Sequence, residues 1–179
     1  MADLLDGITD DQLDAPTPCE KYRLGDLVEH IGGLAAAFTA AAAKDLGPFT
    51  SQAPSGDAAR LGDDWRTRIP RQLAALAQAW REPAAWEGMT QVGGIELPAG
   101  IAGIVGLGEV VIHGWDVARA TGQPYDADQQ TLDACLQYVS MMASQDGGPF
   151  GPPVEVPDDA PLLDRIIGLS GRNPAWTAT

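Results

Sequence analysis

Histidine is scarce in this chain: its 179 residues include only two, His30 and His113. Cysteine is equally scarce, and Cys19 and Cys135 stand far apart with no CxxC pair, so there is no thiolate cluster. They read as reduced thiols of a cytosolic protein, in buried structural roles rather than catalytic ones. Positive charge is also short, with 11 Lys and Arg against 25 Asp and Glu, for a net charge of -14. Such a surface repels phosphates and anionic lipids, so neither nucleic acid nor membrane is an expected partner. No run approaches about 18 consecutive apolar residues, and no membrane-spanning helix is expected. The acidic first eleven residues lack the basic and apolar stretches of a signal peptide. There is no GxGxxG or GxxxxGK[ST] loop, which removes support for nucleotide binding by those routes. There is no GxSxG elbow either.

What is present is an ordinary globular composition, 45% hydrophobic and 20% charged, in a length that suits one domain with a substantial core. Residues 3–14 form a short amphipathic piece, broken by Pro16-Thr-Pro18. Helical spacing then runs from Leu24 to Asp45, with Leu27, Val28, Ile31, Leu34, Ala35 and Phe38 on one face and His30 at its border. A loop over 46–57 leads to a second helix, Ala58 to Trp80, carrying Pro70 as a kink rather than a break. Trp86 to Pro98 alternates around Gly93-Gly94 and reads as a small hairpin or an extended crossover. Two more helices follow, Ala99 to Thr121 and Ala127 to Ala143, then a Gly/Pro-rich connector over 146–157 and a short helix from Pro161 to Leu169. Four long helices without a strong strand signal predict an all-α four-helix bundle over 1–145, with a short helical extension over 146–179, in one domain.

Glu109 and His113 stand at i and i+4 of the third long helix, so their side chains leave the same side about one turn, or ~6 Å, apart. A facing helix that brought in His30 would complete two imidazoles and a carboxylate. That set suits a divalent metal with an open coordination position. Each residue has a plainer reading. Glu109 could pair with Arg119 or another cation, or point to solvent from the edge of the apolar stripe. His113 could be a hydrogen-bonded core histidine, and E-x-x-x-H alone is a weak motif. Asp116 could orient His113 by accepting its second N–H, or form a surface pair with Arg119. Trp115 reads as core. Arg172, in a Gly-Arg-Asn-Pro turn, could grip an anionic ligand or lie free on the surface.

Two stretches carry a resemblance. Pro16-Thr-Pro-Cys-Glu-Lys-Tyr-Arg-Leu-Gly-Asp-Leu-Val-Glu-His30 and Gly108-Glu-Val-Val-Ile-His-Gly-Trp-Asp-Val-Ala-Arg-Ala-Thr-Gly122 resemble the two signatures of the mycothiol-dependent maleylpyruvate isomerase-like proteins of the DinB/YfiT superfamily. The end of the chain, through Gly171-Arg-Asn-Pro-Ala-Trp176, is similar to a compact actinobacterial branch of that group. The resemblance implies an antiparallel four-helix bundle and a divalent metal held by His30, Glu109 and His113. Zinc is the first expectation, with nickel, iron or manganese as alternatives. It also implies mycothiol as co-substrate, activated by the metal for S-transfer or isomerisation of an electrophile. Tyr22 stands where many relatives are expected to carry tryptophan. The separate C-terminal domain of the full-length isomerase is not expected in this chain.

The function expected is therefore a metal-dependent, thiol-using transferase or isomerase in the cytoplasm. Arg119 and Arg172 are the cofactor-binding candidates, no catalytic residue is assigned, and a homodimer stays open. Two other classes compete: a metal-holding bundle that only binds partners, and a metal-dependent hydrolase in which Glu109 or Asp116 assists a bound water.

Overall fold

The computed structural model describes residues 1–143 and 150–178. Among these the chain is mostly helical, with one two-stranded sheet. The helices are α1 (Ala2–Asp6), α2 (Leu24–Ala43), α3 (Pro48–Ser51), α4 (Trp65–Ala79), α5 (Ala99–Thr121), α6 (Gln129–Ala143) and α7 (Leu162–Leu169). The strands are β1 (Met89–Val92) and β2 (Ile95–Pro98). The division expected between 145 and 146, and the start of the 146–157 connector, lie outside the described residues.

Helix α2 begins where Asp26 accepts a hydrogen bond from the Arg23 backbone N–H at 3.1 Å. It ends at Lys44, whose left-handed φ of 58° stops the ladder. Its apolar face is the expected one: Leu27, Val28, Ile31, Ala35 and Phe38 are buried. The second long helix is shorter than its periodicity suggested. Residues Ala58–Arg60 form a 3-10 turn capped by the Asp57 carboxylate. Gly62 then takes a φ of +70°, so α4 starts only at Trp65. It continues unbroken through Pro70. The alternation around Gly93-Gly94 is a hairpin, with Val92 paired to Ile95 across two glycines of positive φ. The loop expected over 46–57 contains the one-turn helix α3.

The principal helix pairings are α4 on α2, α2 on α5, α5 on α6 and α7 on α6. Helix α5 is thus central, with one apolar cluster on either side. Leu27, Ile31, Trp65, Ile69 and Val117 belong to one. Ile112, Leu132, Val139 and Ile166 belong to the other. By length and composition alone α5 could cross a membrane, its 18-residue window reaching a mean hydropathy of 1.4. Isoleucine, valine and leucine raise that average, although Glu109 interrupts the apolar run. Yet 67% of that window is buried inside the protein, as befits a core helix.

Aromatic rings approach α5 where it has no side chain. A Cβ at Gly106 would sit 2.9 Å from the Phe38 ring, and one at Gly114 would sit 2.8 Å from Tyr125. Gly100, by contrast, would meet only the Trp86 carbonyl, at 3.8 Å. Gly106→Ala should therefore destabilise the protein by about 1–3 kcal/mol through overpacking. Gly100→Ala should stabilise it by up to about 1 kcal/mol, because glycine is a poor helix former. Urea midpoints of the two variants check this; equal shifts of the same sign would contradict the packing at Gly106.

Candidate metal centre

Helices α2 and α5 bring the two histidines together. Their rings lie edge to face, with centroids 5.1 Å apart. One donor atom from each of His30, Glu109 and His113 falls within 4.8 Å of the others. The i, i+4 pair meets as its spacing requires: His113 Nε2 lies 3.2 Å from Glu109 Oε2.

The atoms turned away from this meeting point have other partners. His113 Nδ1 lies 2.9 Å from Asp116 Oδ2. Asp116 is fully buried and in turn accepts from Arg172, through Nη2 to Oδ2 at 2.9 Å and Nε to Oδ1 at 3.0 Å. Glu109 Oε1 accepts from the Tyr138 hydroxyl of α6 at 3.2 Å. His30 Nδ1 is buried with no hydrogen-bond partner, and it is the single such side-chain atom among the described residues. A buried unpaired nitrogen is costly, and an ion would account for it. The donor chemistry, two imidazoles and one carboxylate, suits a divalent metal.

Charge follows from these contacts. Burial pushes His30 down to about 4, helped by the neighbouring His113. Burial opposes the charging of His113 too, but hydrogen bonds to Asp116 and Glu109 outweigh it and raise the group to about 9. Burial would lift both carboxyls. His113 holds Glu109 below its ordinary value, and His113 together with Arg172 does the same for Asp116. The metal-free site therefore holds a neutral His30 beside an imidazolium clasped by two carboxylates.

Arg172 reaches the site because α7 ends in a left-handed Gly171, φ +79°, which turns the next residue inward. Its Nη1 also donates to the Ser170 carbonyl at 3.0 Å. It is not a surface turn arginine: Nε and Nη2 donate to Asp116 and Nη1 to Ser170. Arg119 is exposed, stacked over Trp115 and bonded to the Pro174 carbonyl. It pairs with neither Glu109 nor Asp116. Tyr138 was missed at the sequence level, since its inward position on α6 did not reveal its partner. Cys19 was read as a buried structural thiol. It is half-buried, and its sulfur lies within 4.8 Å of a His113 nitrogen and an Asp116 oxygen. That second set is the poorer one, because Asp116 is committed to Arg172 and burial raises the Cys19 pKa. Cys135 is fully buried, as expected.

Two recesses flank the centre. A tight apolar cavity of about 10 Å³ is lined by Ile31, Leu34, Phe38 and Leu76 and touches Glu109, with room for one water at most. An open cleft of about 560 Å³ is lined by Thr17, Glu20, Lys21, Tyr22 and Arg23. The Tyr22 ring, on the wall of this cleft, lies 4.9 Å from that of His30.

The two histidines should give metal-free stability opposite pH limbs. An unfolded histidine titrates near 6.5. His113 stays protonated to about 9 when folded, so its contribution is full below 6.5 and is lost as pH rises towards 9. His30 stays neutral down to about 4, so its contribution is full above 6.5 and is lost as pH falls towards 4. Relative to wild type, His113→Gln should flatten the alkaline limb of the urea midpoint and His30→Gln the acid limb. Unchanged pH profiles in both variants would refute this charge assignment.

Comparison with known proteins identifies the family of the chain. Residues 1–118 match the family described as the mycothiol maleylpyruvate isomerase N-terminal domain. The match spans His30, Glu109, His113 and Asp116, and stops short of Tyr138 and Arg172. Two uncharacterised proteins of Mycobacterium tuberculosis, from strains CDC 1551 / Oshkosh and ATCC 25618 / H37Rv, are each 32% identical over 181 residues. Each alignment covers 96% of this chain and 91% of the relative. No solved structure matches. With two thirds of its length matched and its candidate donors inside the matched region, the chain belongs to the mycothiol maleylpyruvate isomerase N-terminal domain family.

Proposed function

We propose that this protein is a divalent-metal-dependent enzyme that uses a low-molecular-weight thiol, mycothiol in the first instance, for S-transfer or isomerisation. His30, Glu109 and His113 are the metal ligands, and zinc is the ion we favour. The reading rests on one observation above all: the three donors converge, while Nδ1 of His113 and Oε1 of Glu109 are each held from behind. It extends to an antiparallel four-helix bundle acting as one domain in the cytoplasm, supported by the continuous pairing of the four long helices.

When bound, the ion would supply Lewis acidity, taking the thiol sulfur at an open position and drawing its pKa down from about 8.5, so that thiolate is present at neutral pH. The protein's own groups set the conditions. Asp116 keeps the His113 Nδ1 proton in place and so presents Nε2 as the ligating nitrogen. Arg172 keeps Asp116 ionised and still. The cleft beside Tyr22 offers room for the polar body of the thiol, with Lys21 and Arg23 at its wall.

Metal analysis should find about one ion per chain. His30→Ala and His113→Ala should each lose it; retention of the ion at wild-type affinity in both would place the site elsewhere. Binding should displace the His113 proton, so calorimetry at pH 7 in buffers of different ionisation enthalpy should report release of about one proton. The chelated protein should remain helical, because apolar clusters on both sides of α5 pack the helices without an ion.

In the cobalt-substituted protein, saturating mycothiol should add a sulfur-to-cobalt charge-transfer band. An unchanged spectrum, together with hydrolysis that needs no thiol, would favour the hydrolase. An unchanged spectrum and no turnover of any kind would favour a binding module.

A further inference from the structure

Tyr138 contributes to the centre from α6, beyond the part of the chain that matches the family. It is buried, and its hydroxyl donates to Glu109 Oε1 at 3.2 Å. Its ring lies against α5 at Gly108, where a Cβ would overlap it. Phe150 packs edge-on against the other side, centroids 5.6 Å apart. The ring is thus fixed on two sides and its hydroxyl has one acceptor to serve.

We propose that Tyr138 is a positioning residue that holds Glu109 as a one-oxygen ligand and so keeps a coordination position open for the thiol. This rests on the metal reading above. A carboxylate can bind a metal through one oxygen or through both. With two imidazoles, a one-oxygen carboxylate makes three protein ligands and leaves room for a reactant, whereas a two-oxygen carboxylate fills that room. In this site Oε2 faces His113 Nε2, and Oε1 is held on the far side by Tyr138. The arrangement parallels that of His113, whose outer nitrogen is held by Asp116. Each α5 ligand therefore has one atom at the meeting point, where Oε2 and Nε2 face each other, and one restrained by a neighbouring group.

The test is Tyr138→Phe in the full chain, which removes one oxygen and keeps the ring. Zinc affinity, measured by competition with a chromophoric chelator, should fall roughly 10- to 100-fold, the usual cost of losing an outer-shell partner. The visible band of the cobalt protein should change in shape and intensity, because a second carboxylate oxygen alters the donor set around the ion. The mycothiol concentration needed to raise the charge-transfer band should increase. Gly108→Ala, which retains the hydroxyl but displaces the ring, should reproduce these changes. Tyr125→Phe, which removes a buried hydroxyl bonded to the Val111 carbonyl, should not. If wild type binds zinc and Tyr138→Phe matches it in affinity, cobalt spectrum and thiol titration, the role of Tyr138 is refuted while the metal centre stands. If wild type binds neither zinc nor cobalt, the metal reading falls and this inference falls with it.

Discussion

The site is organised by His113, an imidazole clasped at both nitrogens by carboxylates inside the protein. A buried imidazolium between two acids would leave one negative charge over, and Arg172 cancels it through Asp116. The four groups together are neutral, which makes their burial tolerable where an unpaired charge would not be. The balance also bears on function. Replacing the His113 proton with a dication would leave the cluster with one net positive charge. An anionic ligand would restore neutrality. A thiolate has that charge, and a neutral thiol does not. The same groups that stabilise the metal-free fold would thus favour the deprotonated sulfur once the ion is present.

The fold serves this cluster by making α5 thin. Gly106, Gly108 and Gly114 let Phe38, Tyr138 and Tyr125 close on the helix from different neighbours. Larger residues at those positions would push the neighbours outwards and lengthen every contact that crosses α5. The distance between His30 and His113 depends on α2 packing tightly against α5, and the Tyr138 contact depends on α6 doing so from the other side. Glycine is a poor helix former, but these positions are held by packing rather than by propensity.

Much of the centre was legible because it is local. Glu109 and His113 meet through helical geometry alone, and Asp116 is reachable from His113 at i+3. His30 followed from its place on the inward face of α2 and from the lack of any third histidine. Arg172 was misjudged because its position depends on a left-handed turn at Gly171 and on packing across 56 residues. Arg119 looked eligible because it follows Asp116 by three positions. The structure stacks it over Trp115 at the surface, where a cation can keep its hydration. Tyr138 left no local signal, since α6 periodicity shows which way a residue faces and not which acceptor it meets. The start of α4 was misplaced because the alanines and arginine at 58–60 are good helix formers, and Asp57 caps the turn they make, but Gly62 at φ +70° ends it.

One consequence concerns where selectivity resides. The matched domain contains His30, Glu109, His113 and Asp116, whereas Tyr138 and Arg172 lie beyond its last matched residue, 118. The candidate ligands therefore lie inside the matched part of the chain, and two of the groups behind them lie outside it. A substitution in α6 or after α7 can alter how Glu109 and Asp116 are held without touching a ligand. Such a change would weaken the hold on an ion without removing a ligand, and would alter coordination and local charge, and through them any bound thiol. Chains alike over the first 118 residues can on this argument differ in what they activate. The place to look for that difference is the far oxygen of each carboxylate.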